Sequence, residues 1–360
     1  MLLSILSTLI LQEMASRLGF VSQRGLGEAL RLQMKKGLGK YFAFSLVIGA
    51  IIIGNTAYEA GNISGGILGL QLTVGIFSGW PVVLGSICFL LMYYGGYAWI
   101  EKILIMLVLL MSLCFLLTTL IVEPPIFEIL NGFIPRMPSN QEFLLVMAVI
   151  GTTVVPYNLF LHASLVAGKR TTHSSNLKEI RLENFISITL GGVVSILIIV
   201  TAASSADKIN EVVSAKDMAI QLEPLFGLTA RYLMGIGLMA AGISSAITAP
   251  MAAAYAAKGL FGWKGDEKNT NFKITWISIL IIGVIVASTN VKDILIIKFA
   301  QIANALLLPF IAVFLLRTCN SRIVLGSNRN SILTNILGIL VIILTVLISL
   351  KSLDGIFNIF

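Results

Sequence analysis

The chain has 360 residues, of which 57% are hydrophobic and only 12% charged, with a mean hydropathy of +0.95. A soluble domain carries about 25% charged residues, so the composition excludes a water-soluble globular protein and implies an integral membrane protein. The formal net charge of +8 sits in the loops between apolar runs. It reads as a topology signal and not as a nucleic-acid-binding patch.

The first apolar run, Met1–Gln12, is 12 residues long, short of the roughly 17–25 that a spanning helix needs. It has no basic n-region and no small-residue cleavage site after it, which argues against a signal peptide. A basic loop follows, carrying Arg17, Arg24, Arg31, Lys35, Lys36 and Lys40. Three uncharged runs of spanning length come next: Tyr41–Tyr58, Trp80–Ile100 and Ile103–Val122. The Gly-rich stretch Ala60–Gly79 between the first two reads as a helix end plus an external connection.

Glu59 is the one acidic residue in Tyr41–Ile100, and Asn55, Glu59 and Asn62 fall at i, i+4 and i+7, on one helix face. A carboxylate inside a membrane is costly and by default marks a proton or ion path. The alternative is a side chain near the helix end that snorkels to water.

Phe143–Gly168, FLLVMAVIGTTVVPYNLFLHASLVAG, is the most informative segment. It is uncharged and long enough to span, yet holds Gly151, Pro156, Tyr157, Asn158 and His162 in its middle. Pro156 has no N–H and its ring clashes with the carbonyl four residues back, so a helix here must open. Open backbone in hydrocarbon is tolerated only when enclosed by protein or lining a wet cavity. A broken helix with polar groups at the break is how many transporters build a mid-membrane site; a packing helix with a merely tolerated proline is the other reading.

Further spans are expected at Phe185–Ala206, Tyr232–Ala257, Ile274–Val291, Phe299–Leu316 and Asn330–Leu350. Ala240, Ser244 and Thr248 recur every four residues, a small-residue face for close helix packing. Gln301 and Asn304 are polar within the Phe299–Leu316 span and need partners, either a ligand or another helix. Most Lys and Arg residues lie in alternate loops on the side of Arg17–Lys40, which places that side in the cytoplasm and Pro124–Asn140 opposite. Cys88, Cys114 and Cys319 are scattered without a C-x-x-C pair, and the only histidines are His162 and His173. Neither a disulfide framework, a zinc site nor an enzyme signature is visible, and no cofactor is expected.

Three segments, in order, resemble one family. GTTVVPYNLFLHAS is similar to the sixth-helix signature G-A-T-V-M-P-H-N-L-Y-L-H-S of the natural resistance-associated macrophage protein (Nramp) transporters. RLGFVSQRGLGEALR resembles that family's R-L-G loop, and AQIANALLLPF resembles its S-Q-V-x-L-S-x-Q-L-P-F segment. The resemblance implies an all-α polytopic membrane protein of broken-helix, inverted-repeat (LeuT-like) architecture, forming one transmembrane domain over 1–360. Aligned on the R-L-G loop, Met1–Gln12 looks like the end of the second family helix, so the first helix, with its D-P-G-N metal motif, is expected to be missing.

The implied function is divalent metal cation transport, of manganese or iron by family default and with or without protons, in a bacterial inner (plasma) membrane. The family's metal-binding methionine is Val155 here and its following histidine is Tyr157. Without a thioether the donors are oxygens, which suits a harder ion such as Mg²⁺. The expected metal site is Thr153, Val155, Asn158 and Gln301; Asn55, Glu59 and His162 are the expected proton or ion path. In the family's A-T-D-L-A-E pattern Asn55 stands for the aspartate and Tyr58 for the glutamate, with Glu59 one place late, which weakens the expectation of proton coupling. The rival readings are an organic-substrate transporter of the same architecture, with a carboxylate held at the half-helix N-terminus after Pro156, and a non-transporting remnant or scaffold.

Overall fold

A computed structural model of the chain describes residues 1–33, 38–94, 97–134, 146, 149–172, 176–204, 215–265, 269–289 and 291–357. All regular structure in the described residues is helical. Among the described residues six helices are long and apolar enough to cross a membrane, including Leu177–Ser204, Thr270–Ala287 and Asp293–Cys319. Large apolar side chains on their outer faces, such as Leu109, Leu190, Ile285 and Val313, are exposed, as a lipid-facing surface requires. The chain is a multi-pass integral membrane protein. His173, the two lysines at 35 and 36, Ser139 and most of 143–148 lie outside the described residues.

The first helix, α1, runs Leu2–Ser22 and is 21 residues long, not 12. The apolar run ends at Gln12, but the helix continues because its charges are neutralised in place. Arg17 pairs with Glu13 one turn back, Nε to Oε1 at 3.2 Å, and its side chain is only 6% exposed. Arg17 Nη1 also donates to the Asn328 carbonyl at 2.8 Å and Nη2 to Asn330 Oδ1 at 2.6 Å. Arg181 Nη2 reaches Glu13 Oε1 from another helix at 2.7 Å.

The short α2 (Leu26–Gln33) follows, then α3, Leu38–Thr73, of 36 residues. The Gly-rich stretch expected to end this helix continues it instead. Its glycines serve close packing: a Cβ on Gly69 would lie 2.4 Å from the Gly235 carbonyl oxygen, and one on Gly242 would lie 2.5 Å from the Gly66 nitrogen. Both partners belong to α12, Ala230–Phe261. The close-packing seam of α12 therefore runs through Gly235 and Gly242. The expected Ala240–Ser244–Thr248 face is only partly used: Ala240 is buried, but Thr248 is exposed and its hydroxyl donates to the Ser244 carbonyl of its own helix.

Helices α4 (Trp80–Tyr94) and α5 (Tyr97–Val122) are joined before Tyr97, so Lys102 lies inside α5 and not in a loop after Ile100. The short α6 (Ile126–Gly132) is exposed. The expected break follows, as α7 (149–153) and α8 (Pro156–Thr172). Then come α9 (Leu177–Ser204), α10 (Ala215–Ile220), α11 (Glu223–Phe226), α12, α13 (Thr270–Ala287), α14 (Asp293–Cys319), α15 (Arg322–Leu325) and α16 (Ile332–Phe357). Helix α3 packs on α12, α13 and α14, and α1 packs on α8 and α9.

The glycines of the R-L-G loop also have a packing role. A Cβ on Gly19 would fall 2.2 Å from the Ala163 carbonyl oxygen of α8, and one on Gly27 would fall 2.7 Å from the Ala256 carbonyl oxygen of α12. Around them lies a core shared by α1, α2, α8, α12, α14 and α16, with Leu11, Leu18, Phe160, Leu260 and Leu308 at its centre.

Arg17→Ala is expected to destabilise the protein by about 2–3 kcal/mol, somewhat below the loss for a fully buried ion pair, because Glu13 keeps 28% of its side chain exposed. Thermal unfolding in detergent measures this, and an unchanged midpoint would remove the network from the stability of the fold.

Candidate functional site

Helix α7 ends where the sequence requires it to. The Val154 N–H still reaches the Ile150 carbonyl at 2.9 Å, but Val154 and Val155 are not helical. The Thr152 carbonyl would need its partner at Pro156, which has no N–H. Pro156 then occupies the first position of α8, where a missing donor costs nothing, and the Asn158 N–H turns back to the Val155 carbonyl at 3.2 Å. The carbonyl end of one half-helix thus meets the N–H end of the next, an arrangement that presents both partial charges at one place.

Helices α1, α3, α12 and α14 enclose the break. Gly151 of α7 sits directly on α14: a Cβ there would fall 2.0 Å from the Gln301 carbonyl oxygen. On the α3 side, Tyr58 meets Tyr157 edge-on, with ring centroids 5.3 Å apart and planes at 65°. The Tyr58 hydroxyl lies close to the side chains of Thr152 and Tyr157. Below this aromatic pair is a small cavity of about 10 Å³, about the size that holds one water. Its polar walls are Asn55 of α3, Tyr157 of α8 and Asn304 of α14; Pro156, Phe160 and Leu307 supply apolar wall.

Asn55 and Asn304 are each 1% exposed. Asn55 Nδ2 donates to the Ile51 carbonyl at 2.7 Å, one turn back in its own helix. Its Oδ1 has no hydrogen-bond partner in the protein, nor has Asn304 Nδ2.

The remaining expected residues are distributed around this centre. The Thr153 hydroxyl donates to the Val149 carbonyl at 2.6 Å, and its own carbonyl faces the Thr8 hydroxyl of α1 at 3.5 Å. The Val155 side chain is buried in an apolar cluster with Leu161, Ala249 and Ala252 and does not line the cavity. Asn158 and Gln301 are partly buried and likewise outside its lining. His162 is partly buried further along α8.

Glu59 is fully buried in the middle of α3, which excludes the snorkelling reading. It faces α13, where a Cβ on Gly283 would lie 2.5 Å from its Cγ, and Asn62 Nδ2 donates to its Oε2 at 3.4 Å. The fold therefore brings Asn55 to the break and leaves Glu59 one turn further along α3, packed against α13. Tyr157, already expected at the break, is joined at the centre by Tyr58 and by Asn304, for which the sequence left a ligand or another helix open. The signal for Asn304 was its polarity within an apolar span; Tyr58 gave none.

Among the described residues no three His, Cys, Asp or Glu side chains lie close enough together to hold a metal ion. The donors at the break are neutral oxygens, from amides, phenols and backbone carbonyls, a set that suits hard cations over soft ones.

Comparison with known proteins gives a consistent answer. A family model described as natural resistance-associated macrophage protein-like matches residues 1–353. The chain is 28% identical over 349 residues to a protein named divalent metal cation transporter MntH from Bradyrhizobium diazoefficiens, covering 90% of this chain and 74% of that one. It is also 28% identical over 351 residues to metal transporter Nramp1 of Oryza sativa, covering 92% and 67%. A solved structure of the Eremococcus coleocola manganese transporter, in complex with an aromatic bis-isothiourea substituted compound, superposes with a TM-score of 0.73 at 22% identity over 98% of this chain and 79% of that one. This likeness shows the fold.

Gly151→Ala is expected to push α7 off α14 and to cost about 1–3 kcal/mol, as overpacking of a tight contact does. The control is Gly191→Ala, where a Cβ meets nothing within 4 Å. Equal melting temperatures for the two variants would show that the α7–α14 contact is not tight in solution.

Proposed function

The chain belongs to the natural resistance-associated macrophage protein family, and on that premise we propose that it is a divalent metal cation transporter of a bacterial plasma membrane, with the Arg17–Lys40 loop on the cytoplasmic side. The observation that carries this reading is the open backbone at Val154–Val155, walled by polar side chains from α3 and α14 in the interior of the protein. The names of the relatives, divalent metal cation transporter and metal transporter, support it. A water-sized cavity suits an ion better than an amino acid.

The ion is Mn²⁺ or a harder one such as Mg²⁺, because oxygens are the donors at hand and Val155 brings no thioether. In this reading the carbonyls of Thr153 and Val155, freed by Pro156, and the side chains of Asn158 and Gln301 contact the cation along its path. Asn55, Glu59 and His162 line the route of the ion or of accompanying protons. Glu59 is the strongest candidate for proton movement, since its Oε1 has no hydrogen-bond partner in the protein although the side chain is fully buried. A buried carboxylate with an open acceptor is costly to keep without a function.

Reconstituted protein should take up Mn²⁺ into liposomes above the protein-free level, with Mg²⁺ competing; no uptake of either ion would overturn the proposal. Val155→Met places a soft donor at the break and should raise Cd²⁺ uptake relative to Mn²⁺ and Mg²⁺. An unchanged ion preference would remove position 155 from the ion's path.

Glu59→Gln retains shape and hydrogen-bonding capacity but cannot titrate. Uptake by this variant should lose any dependence on an imposed pH gradient that the unsubstituted protein shows. Identical pH dependence in the two proteins would exclude Glu59 from coupling.

A further inference from the structure

Each of the two amides at the break has one buried atom without a hydrogen-bond partner in the protein, Asn55 Oδ1 and Asn304 Nδ2, and their arrangement identifies what would complete them. Asn55 Nδ2 is tied at 2.7 Å to the Ile51 carbonyl, which leaves Oδ1 as the free group of that amide in the cavity wall. Asn304 approaches from α14 beside Gly54, where a Cβ would meet Asn304 Oδ1 at an ordinary 3.5 Å but would crowd Leu307 Cδ1 at 2.5 Å. Both amides are 1% exposed, and the cavity between them is about 10 Å³. Leaving a buried amide atom without a partner costs about 1–3 kcal/mol. Two such atoms on facing helices, beside an opened backbone, point to a polar occupant that both can hold.

Among the described residues no basic side chain lines this cavity, so none of them favours an anion there. No carboxylate lines it either, so a cation held there keeps its charge and is bound by dipoles alone. The anchored Asn55 oxygen can accept from a metal-bound water or ligate the metal directly. Asn304 can do the same after a half-turn of its terminal amide, a broad and roughly two-fold torsion that exchanges oxygen for nitrogen. Neutral amide oxygens around a water-sized space match a divalent cation that retains part of its hydration shell, as hard cations do.

We propose that Asn55 and Asn304 form a two-amide subsite that holds the transported divalent cation between α3 and α14. The inference rests on the transport reading above and adds to it two ligands and their neutral character. Tyr157, whose ring shares the cavity wall, closes the subsite on the α8 side.

The test is Mn²⁺ binding to the purified full chain by calorimetry, together with Mn²⁺ uptake in liposomes, for the unsubstituted protein, Asn304→Leu and Asn304→Asp. Leu has nearly the shape of Asn without its polar atoms, and Asp adds a charge in the same shape. Elution as a single species and an unchanged melting temperature control for folding. Asn304→Leu should weaken Mn²⁺ binding by about tenfold or more, the loss of one ligand to a charged group. Asn304→Asp should tighten it by about the same factor while slowing release, so that uptake falls even though binding improves. Affinities of both variants within twofold of the unsubstituted protein would overturn the subsite while leaving the transport reading intact. Failure of the unsubstituted protein to bind or move Mn²⁺ or Mg²⁺ would overturn both.

Discussion

A backbone that opens inside a membrane must be enclosed by protein, and the rest of this structure follows from that requirement. The opening at Val154–Val155 is surrounded by α1, α3, α12 and α14. Such enclosure needs helices closer together than ordinary side chains permit, and glycine supplies it. Gly151 seats α7 on α14, Gly54 makes room for Leu307 against α3, and Gly66 and Gly242 let α3 lie against α12. The Gly-rich character of α3 is thus part of the same constraint as Pro156: one residue opens the backbone and the others bring cover to it.

Much of this was legible in the residues. Pro156 within a polar cluster marked the break, and the i, i+4 relation of Asn55 and Glu59 marked a polar face. What the pattern could not resolve was which prolines break a helix. Pro250 and Pro309 lie inside α12 and α14, which continue through them; only Pro156 has Thr152, Thr153, Tyr157 and Asn158 beside it. Helix ends were misread for two local reasons. Glycine in α3 looked like punctuation but was a contact surface, and Glu13 and Arg17 looked like the end of a span but neutralise each other within α1. The meeting of Asn55 with Asn304 was not legible at all, since it depends on how α3 and α14 cross.

The charges at the far end of α1 have a different role from the neutral donors at the break. Glu13 accepts from both Arg17 and Arg181, and Arg17 holds the Asn328 carbonyl and the Asn330 side chain. Asn330 donates to Asn335, which exchanges hydrogen bonds with Asn320. One continuous polar chain therefore fastens α1 to α9 and to the turn between α14 and α16. These paired charges are gathered at the far end of α1, while the cavity at the break is walled by neutral dipoles.

The contact of Gly19 with Ala163 has a mechanical consequence. Where two helices touch through side chains, those side chains can change rotamer and allow the helices to slide. Here the separation is set by main chain against main chain, 2.2 Å from a Cβ position to a carbonyl oxygen, so no compliant layer lies between α1 and α8. Any tilt of α8 at its hinge beside Pro156 is handed directly to α1, and through Arg17 and Glu13 to α9 and the base of α16.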